Sequence, residues 1–170
     1  MKPLAGIKVL DFGWVLAGAL PGHMLGDLGA DVIKVESRSR LDYMRQGRPI
    51  IGTEPDPEQN PMFHSVNRNK RSLAINLKHP EAPKLLERLM AQVDIVIENF
   101  SPGVLKRHGL GYDDVASATP RLIYLSLSAV GQDGPLSDLR AYATIIQALS
   151  GLDDLTRYQD EPPIGLESSF

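Results

Sequence analysis

The stretch richest in chemical possibility is Asn99-Phe100-Ser101-Pro102-Gly103. An amide side chain follows an apolar β-type run there, and a Ser and a Pro then open a helix expected over 102–108. Free backbone N–H groups at such a junction favour a phosphate or another anion. Arg107, one turn further on, could add a charge-assisted contact. The same residues also make an ordinary strand–helix junction with Ser101 as its N-cap, and residue types alone leave the two readings open. A second candidate is Asn67-Arg68-Asn69-Lys70-Arg71-Ser72, with three cations ahead of a strand. It is either a solvated turn or a landing place for phosphates. Lys78 falls at the far end of the strand expected over 72–77, and Arg38 and Arg40 follow the strand ending at Glu36 in the same way.

Other chemistries find less support. There are no cysteines, which excludes disulfides, thiolate zinc sites and a Cys nucleophile, and fits a reducing compartment. His23, His64, His79 and His108 lie far apart without metal-binding spacing. No G-x-S-x-G is present, and Asp138 and Glu167 are isolated carboxylates. Gly13, Gly18 and Gly22 do not complete a G-x-G-x-x-G fingerprint, although Glu36 stands where a ribose-binding acid would. Dinucleotide binding is the lesser reading. The net charge of −3 supplies no basic field for nucleic acid or an anionic membrane. The longest apolar runs are too short to span a bilayer, and the first residues carry no apolar signal region. The expectation is a cytoplasmic protein without nucleic-acid or membrane partners.

The elements that must position these residues alternate in type. Strands are expected over 7–12, 31–36, 72–77, 94–100 and 122–130. Helices are expected over 15–28, tilted or broken near Pro21, over 81–92 with Pro80 in its first turn, over 102–108 and 112–117, and over 142–152. In the 81–92 helix, Leu85, Leu86, Leu89 and Met90 share one face. Gly29 and Gly151 are expected helix stops. Residues 37–62 carry charges, prolines and weak periodicity, and form a long functional or poorly ordered excursion. Alternation of this kind predicts an α/β domain with an open, doubly wound, Rossmann-like parallel sheet, ligands binding beyond the carboxyl ends of its strands. With 170 residues the chain is long enough for one such core.

Taken together, these stretches resemble the class III (CaiB/BaiF) CoA-transferase family, of the formyl-CoA transferase and carnitine CoA-transferase type. The resemblance begins at Pro3-Leu4-Ala5-Gly6-Ile7-Lys8-Val9-Leu10-Asp11 and continues through Ala17-Gly18 and Leu28-Gly29-Ala30-Asp31-Val32-Ile33-Lys34-Val35-Glu36. It resumes at Asn69-Lys70-Arg71-Ser72-Leu73-Ala74-Ile75-Asn76-Leu77-Lys78, at Asp94-Ile95-Val96-Ile97-Glu98-Asn99-Phe100, and at Gly131-Gln132-Asp133-Gly134-Pro135. Gln147-Ala148-Leu149-Ser150-Gly151-Leu152 completes it, so it covers nearly the whole chain.

The resemblance implies an interlocked homodimer of much longer chains, of which residues 1–170 would be the incomplete N-terminal, CoA-binding domain. It implies transfer of CoA from an acyl-CoA to a free carboxylic acid through an aspartyl intermediate, with CoA as substrate and no permanently bound cofactor. The nucleophilic Asp would fall just past Phe170, so no catalytic residue is assigned within the chain. The CoA contacts carried over are Leu16 and Ala17 near the thioester, and Arg38 at the nucleotide phosphates. Ile75, Asn76, Leu77 and Lys78 match an adenine-side strand. Asn99, Phe100, Ser101 and Arg107 match pantetheine and phosphate contacts, and Arg140, Tyr142 and Ala143 a further contact segment. Leu16 stands where transferases often have Gln, and Ala143 replaces a frequent acidic residue. A CoA-binding fragment or split subunit without catalysis is therefore the alternative. Tyr142 stands where the family's α-methylacyl-CoA racemases carry His, which disfavours racemisation. A fragment lacking the rest of its domain should expose apolar surface.

Overall fold

The structure, a computed structural model, describes residues 2–47 and 49–164. Residues up to Leu127 form one compact unit, and those from Ser128 onward form a second.

The first unit is built on strands β1 (Lys8–Asp11), β2 (Asp31–Glu36), β3 (Lys70–Ala74), β4 (Ile95–Glu98) and β5 (Ile123–Ser126). All neighbours pair in parallel, in the order β3-β2-β1-β4-β5. The chain winds outward from β1 through β2 to β3, then crosses to β4 and β5 on the other side. The winding therefore reverses between β1 and β4, and the carboxyl ends of those two strands flank the crevice where open α/β sheets take ligands.

Side-chain alternation along the strands builds a core on each face. Leu10, Val35 and Val96 point to one face, against Leu86 and Met90 of helix α3 (Ala82–Met90) and against Leu105, Leu110, Val115 and Leu122. Leu10, Leu86, Met90 and Val96 are all fully buried, and each contributes roughly 1.5–3 kcal/mol. Val9, Val32 and Ile97 point to the other face, with Leu25 of helix α1 (Val15–Asp27) against them.

Helix α1 packs against the sheet in an unusual way. Its buried residues are Gly18, Ala19, Gly22, His23 and Gly26, whereas Leu20, Met24 and Leu28 just beyond it are exposed. The glycines at four-residue spacing are needed for contact. A Cβ on Gly18 would overlap the Asn99 carboxamide, and one on Gly22 would overlap the Asp11 carboxylate. The glycine face of the helix thus lies directly on polar groups, while Leu20 and Met24 face outward and Leu25 packs on the apolar half of the sheet. Pro21 lies inside the helix without ending it.

Several expected boundaries move. The strand expected over 72–77 begins at Lys70 and ends at Ala74, so Ile75, Asn76, Leu77 and Lys78 lie beyond it. Its charged start is tolerated because Lys70 and Arg71 are paired with Asp11 and Asp31. Its end is set by a turn in which the Asn76 side chain accepts from the Lys78 N–H. The helix expected over 102–108 is a series of turns closing in a short 3-10 segment, Lys106–His108, ended by Gly109 at φ 67°. The helix expected over 112–117 is α4 (Tyr112–Val115). The excursion 37–62 is ordered by a 3-10 turn at Tyr43–Arg45 and leads into a helix that the sequence pattern did not reveal, α2 (Pro61–Val66). Pro83, not Pro80, sits in the first turn of α3, and Leu85 is exposed rather than on the buried face. The strand expected over 122–130 is confined to β5.

In the second unit, helix α5 (Ala143–Ser150) follows Tyr142 and closes at Gly151, whose φ of 75° suits a residue without Cβ. Tyr142 and Arg140 are exposed. Among the described residues no helix is long and apolar enough to cross a membrane.

Candidate functional site

One face of the sheet changes character along its strands. Val9 gives way to Asp11, Val32 to Lys34 and Glu36, and Ile97 to Asn99. The apolar half carries α1, and the polar half lies at the carboxyl ends. These charges are buried: Asp11, Lys34, Glu36 and Asp42 are each less than a tenth exposed. Buried charges require partners, and each has one. Lys70 Nζ donates to Asp11 Oδ2 at 2.7 Å, to the Ala19 carbonyl at 2.7 Å and to Asn67 Oδ1 at 2.9 Å. Burial lowers the Lys70 pKa, and the Asp11 charge beside it acts in the opposite direction. Lys34 lies 3.5 Å from Asp42. Arg45 donates to both oxygens of Glu36, at 2.8 Å from Nη2 and 3.0 Å from Nε, with its guanidinium 3.5 Å from the Phe63 ring centroid.

These side chains grip the turn between β1 and α1. The Gly13 N–H donates to Asp11 Oδ1 at 2.7 Å, and Lys34 donates to the Gly13 carbonyl. The Trp14 N–H donates to Asn99 Oδ1 at 2.8 Å, while Asn99 Nδ2 donates to the Trp14 carbonyl at 2.9 Å. The Val15 N–H donates to both oxygens of Asp42 at 3.1 Å. Val15 has a φ of +56°, a left-handed conformation that a β-branched residue adopts only under constraint. The turn spans the crevice between β1 and β4, and Asn99 ties its two sides together.

Trp14 is also the centre of an aromatic group. Tyr43 and Phe100 approach it edge-on at 6.0 Å, and the Arg40 guanidinium lies 5.3 Å from its ring centroid. An open cleft of about 650 Å³ is lined by Arg38, Leu41, Pro57, Glu58 and Ser72. That volume suits a nucleotide-sized ligand.

The sequence-derived site residues fall into distinct roles. Asn99 is not a free strand-end amide, because both its polar atoms are engaged by Trp14. Leu16 and Ala17 form the first turn of α1. Arg38, Asn76, Lys78, Ser101 and Arg107 are exposed at the carboxyl-end loops, and Ile75, Leu77 and Phe100 are partly buried there. Ser101 caps no helix through its side chain; its carbonyl accepts from the Val104 N–H. The cations of 68–71 are paired internally: Arg68 with Asp27, Lys70 with Asp11 and Arg71 with Asp31. They make a structural cluster and not a free phosphate-landing patch. Arg140, Tyr142 and Ala143 belong to the second unit. Glu167 lies outside the described residues. Among the described residues no His, Asp and Glu cluster is arranged to hold a metal ion.

Sequence reasoning missed Trp14, Asp42 and the paired charges. Part of their signal was present: Lys34 and Glu36, two residues apart, fall on the same strand face as Val32, so that face had to turn polar along β2.

Glu98, on the opposite face of β4, is buried and accepts from the Phe100 N–H at 2.8 Å. Burial raises its pKa, and hydrogen bonds from Ser126 and Phe100 partly offset the shift. A carboxyl whose folded pKa is raised contributes stability that is complete below its unfolded value, 4.5, and is lost as pH rises through the folded pKa. Glu98→Gln removes that titration. The variant is therefore expected to gain stability relative to the parent as pH rises from about 4 to about 8, measured by urea unfolding at each pH. A difference that stays constant with pH would contradict this account.

Comparison with known proteins places this fold in a family. The profile of CoA-transferase family III matches residues 4–170. The chain is 43% identical over 165 residues to succinyl-CoA:glutarate CoA-transferase of Mus musculus, covering 96% of this chain and 37% of that protein. It is 40% identical over 161 residues to acetyl-CoA:oxalate CoA-transferase of Acetobacter aceti, covering 95% of this chain and 40% of that one. The crystal structure of a CaiB/BaiF family protein from Brucella suis superposes with a TM-score of 0.87 at 40% identity, over 98% of this chain and 44% of the other. The chain spans less than half the length of these relatives and corresponds to their N-terminal part. With residues 4–170 matched by the family profile and 98% of the chain superposed on a family structure, this chain belongs to CoA-transferase family III.

Proposed function

We propose that this chain is the CoA-ester-binding part of an enzyme that moves CoA from an acyl-CoA thioester to a free carboxylic acid. The observation carrying this reading is the family membership, joined to a clamped turn and a nucleotide-sized cleft at the carboxyl ends of the strands. Two of the relatives are named for transfer of CoA to glutarate and to oxalate.

In this reading the cleft beside Arg38 takes the nucleotide end of CoA, with Ile75, Asn76, Leu77 and Lys78 at its adenine side. Phe100, Ser101 and Arg107 border the pantetheine arm, and Leu16 and Ala17 approach the thioester. Asn99 acts through Trp14. Arg140, Tyr142 and Ala143 are a further contact segment, and an interlocked homodimer of the full-length chain completes the site. The reaction is covalent catalysis by an aspartate expected beyond Phe170. Its carboxylate oxygen attacks the thioester carbonyl, the C–S bond breaks, and CoA leaves as the thiolate. The thiolate then attacks the aspartyl carbonyl of the mixed anhydride, releasing the donor acid and leaving an aspartyl–CoA thioester. The acceptor carboxylate attacks this thioester, and the same steps in reverse deliver the new acyl-CoA. Each step develops negative charge on a carbonyl oxygen, which backbone donors in a dry site stabilise.

The test is calorimetric titration of coenzyme A into the chain. Arg38→Ala and Arg107→Ala each remove a charge-assisted contact and are expected to weaken binding about tenfold. Unchanged affinity in both variants would remove these residues from the site. Leu16 and Ala143, which depart from the family pattern, favour one second reading, in which the chain binds CoA without catalysis. Label transfer from acyl-CoA to an acid by the full-length protein separates the two.

A further inference from the structure

We propose that Asp42 is a positioning residue for this site: it holds Val15 in its left-handed conformation and so fixes where Leu16 and Ala17 stand. The proposal rests on the reading of Leu16 and Ala17 as the segment nearest the thioester.

Val15 is a poor choice for positive φ, because its Cβ and branched methyls crowd the backbone there. Such conformations persist only where the surroundings over-determine them. The constraint comes from several directions. Asp11 and Lys34 fix Gly13, and Asn99 fixes Trp14 through both its polar groups. Asp42 then takes the Val15 N–H with both carboxylate oxygens. Among the described residues it is the side chain that hydrogen-bonds the strained residue itself. Asp42 is in turn immobile: it is fully buried, its Oδ1 accepts the Met44 N–H at 3.0 Å, and Lys34 pairs with it at 3.5 Å. The Val15 side chain packs against the cluster of Ala19, Met44, Phe63 and Val66. The excursion after β2 is thereby coupled to the turn after β1, although the two are far apart in sequence.

The consequence lies one residue further on. Relaxing Val15 to an ordinary backbone conformation would re-aim the first turn of α1, and with it Leu16 and Ala17. A misplacement of about 1 Å near a reacting centre is enough to cost on the order of a hundredfold in rate. Asp42 touches no substrate in this account; its effect passes through Val15.

Glycine adopts positive φ without the side-chain penalty, so Val15→Gly supplies a background in which Asp42 is no longer needed for this purpose. The experiment is a double-mutant cycle in this chain, combining Asp42→Ala with Val15→Gly and reading coenzyme A affinity by calorimetry. Asp42→Ala is expected to weaken binding about tenfold in the parental chain and less than about threefold in the Val15→Gly background. Equal losses in both would overturn the proposal, because the buried Lys34 left unpaired is common to both and cancels. If Asp42→Ala does not fold, Asp42→Asn run through the same cycle is judged by the same inequality. If the unmodified chain does not bind coenzyme A, the functional reading fails, and the positional claim is decided separately. Trp14 is the sole tryptophan, so its fluorescence quenching by acrylamide reports on this turn. Quenching raised by the Asp42 variant and restored by Val15→Gly supports the claim; quenching unaffected by either overturns it.

Discussion

Replacing Asp11 by Asn is expected to cost about 3–5 kcal/mol of unfolding free energy, the usual cost of breaking a buried ion pair from one side. The substitution keeps the shape of the side chain and an oxygen for the Gly13 N–H. What it removes is the charge facing Lys70, whose ammonium is left with the Ala19 carbonyl and Asn67 Oδ1 in a site 2% exposed. Neither neutral acceptor offsets the desolvation of an ammonium. Lys70→Met in the Asp11→Asn background removes the stranded charge, and more than half of the lost stability should return. Urea midpoints at constant m-value measure both steps. A single-variant cost below about 1 kcal/mol would mean that the pair behaves as a solvated one. A double variant no better than the single would place the cost in the Gly13 turn instead.

The same pair explains what could and could not be read from sequence. Strand and helix alternation placed the sheet, because Val9, Leu10, Val32, Val35, Val96 and Ile97 are local apolar signals whose period needs no partner to interpret. The family resemblance, carried by ordered motifs, was legible for the same reason. The start of β3 was not, because Lys70 and Arg71 look like a solvated turn until Asp11 and Asp31, far away in the chain, are brought beside them. Helix α2 was hidden because it is short and follows a proline-rich stretch. Its stability comes from Phe63 and Val66 packing on Ala19 and Met44 and not from its own periodicity. The glycine face of α1 inverted the usual expectation that large apolar residues mark the buried side.

The site divides in the same way. Residues at the carboxyl ends of the strands were legible as candidates, since the doubly wound pattern alone directs attention there. Their roles were not. Asn99 looked like a ligand contact because it ends a strand just ahead of an expected helix start. The structure engages its amide with the backbone of Trp14, far away in sequence, and no local signal announces such a pairing. Strain at Val15 is equally invisible in a sequence that places a β-branched residue at a helix start.

Asn99 therefore offers the sharpest separation between a contact role and a positioning role. Asn99→Asp is expected to cost about 2–3 kcal/mol of stability, because an oxygen replaces the amide donor facing the Trp14 carbonyl. The carbonyl keeps the Gly18 N–H at 3.1 Å, which limits the loss. The carboxylate can still accept the Trp14 N–H, so the variant breaks one of the reciprocal bonds and turns the other group against its neighbour. The Gly18 backbone packs against this side chain so closely that no Cβ fits between them, and a shift of Asn99 must be transmitted to the start of α1. Coenzyme A affinity should then fall about tenfold together with stability, and Trp14 emission should change in the unliganded chain. If Asn99 instead served only as a direct contact, affinity would fall while the melting transition and the Trp14 signal stayed at their parental values. The direction of coupling between those measurements assigns the residue its role.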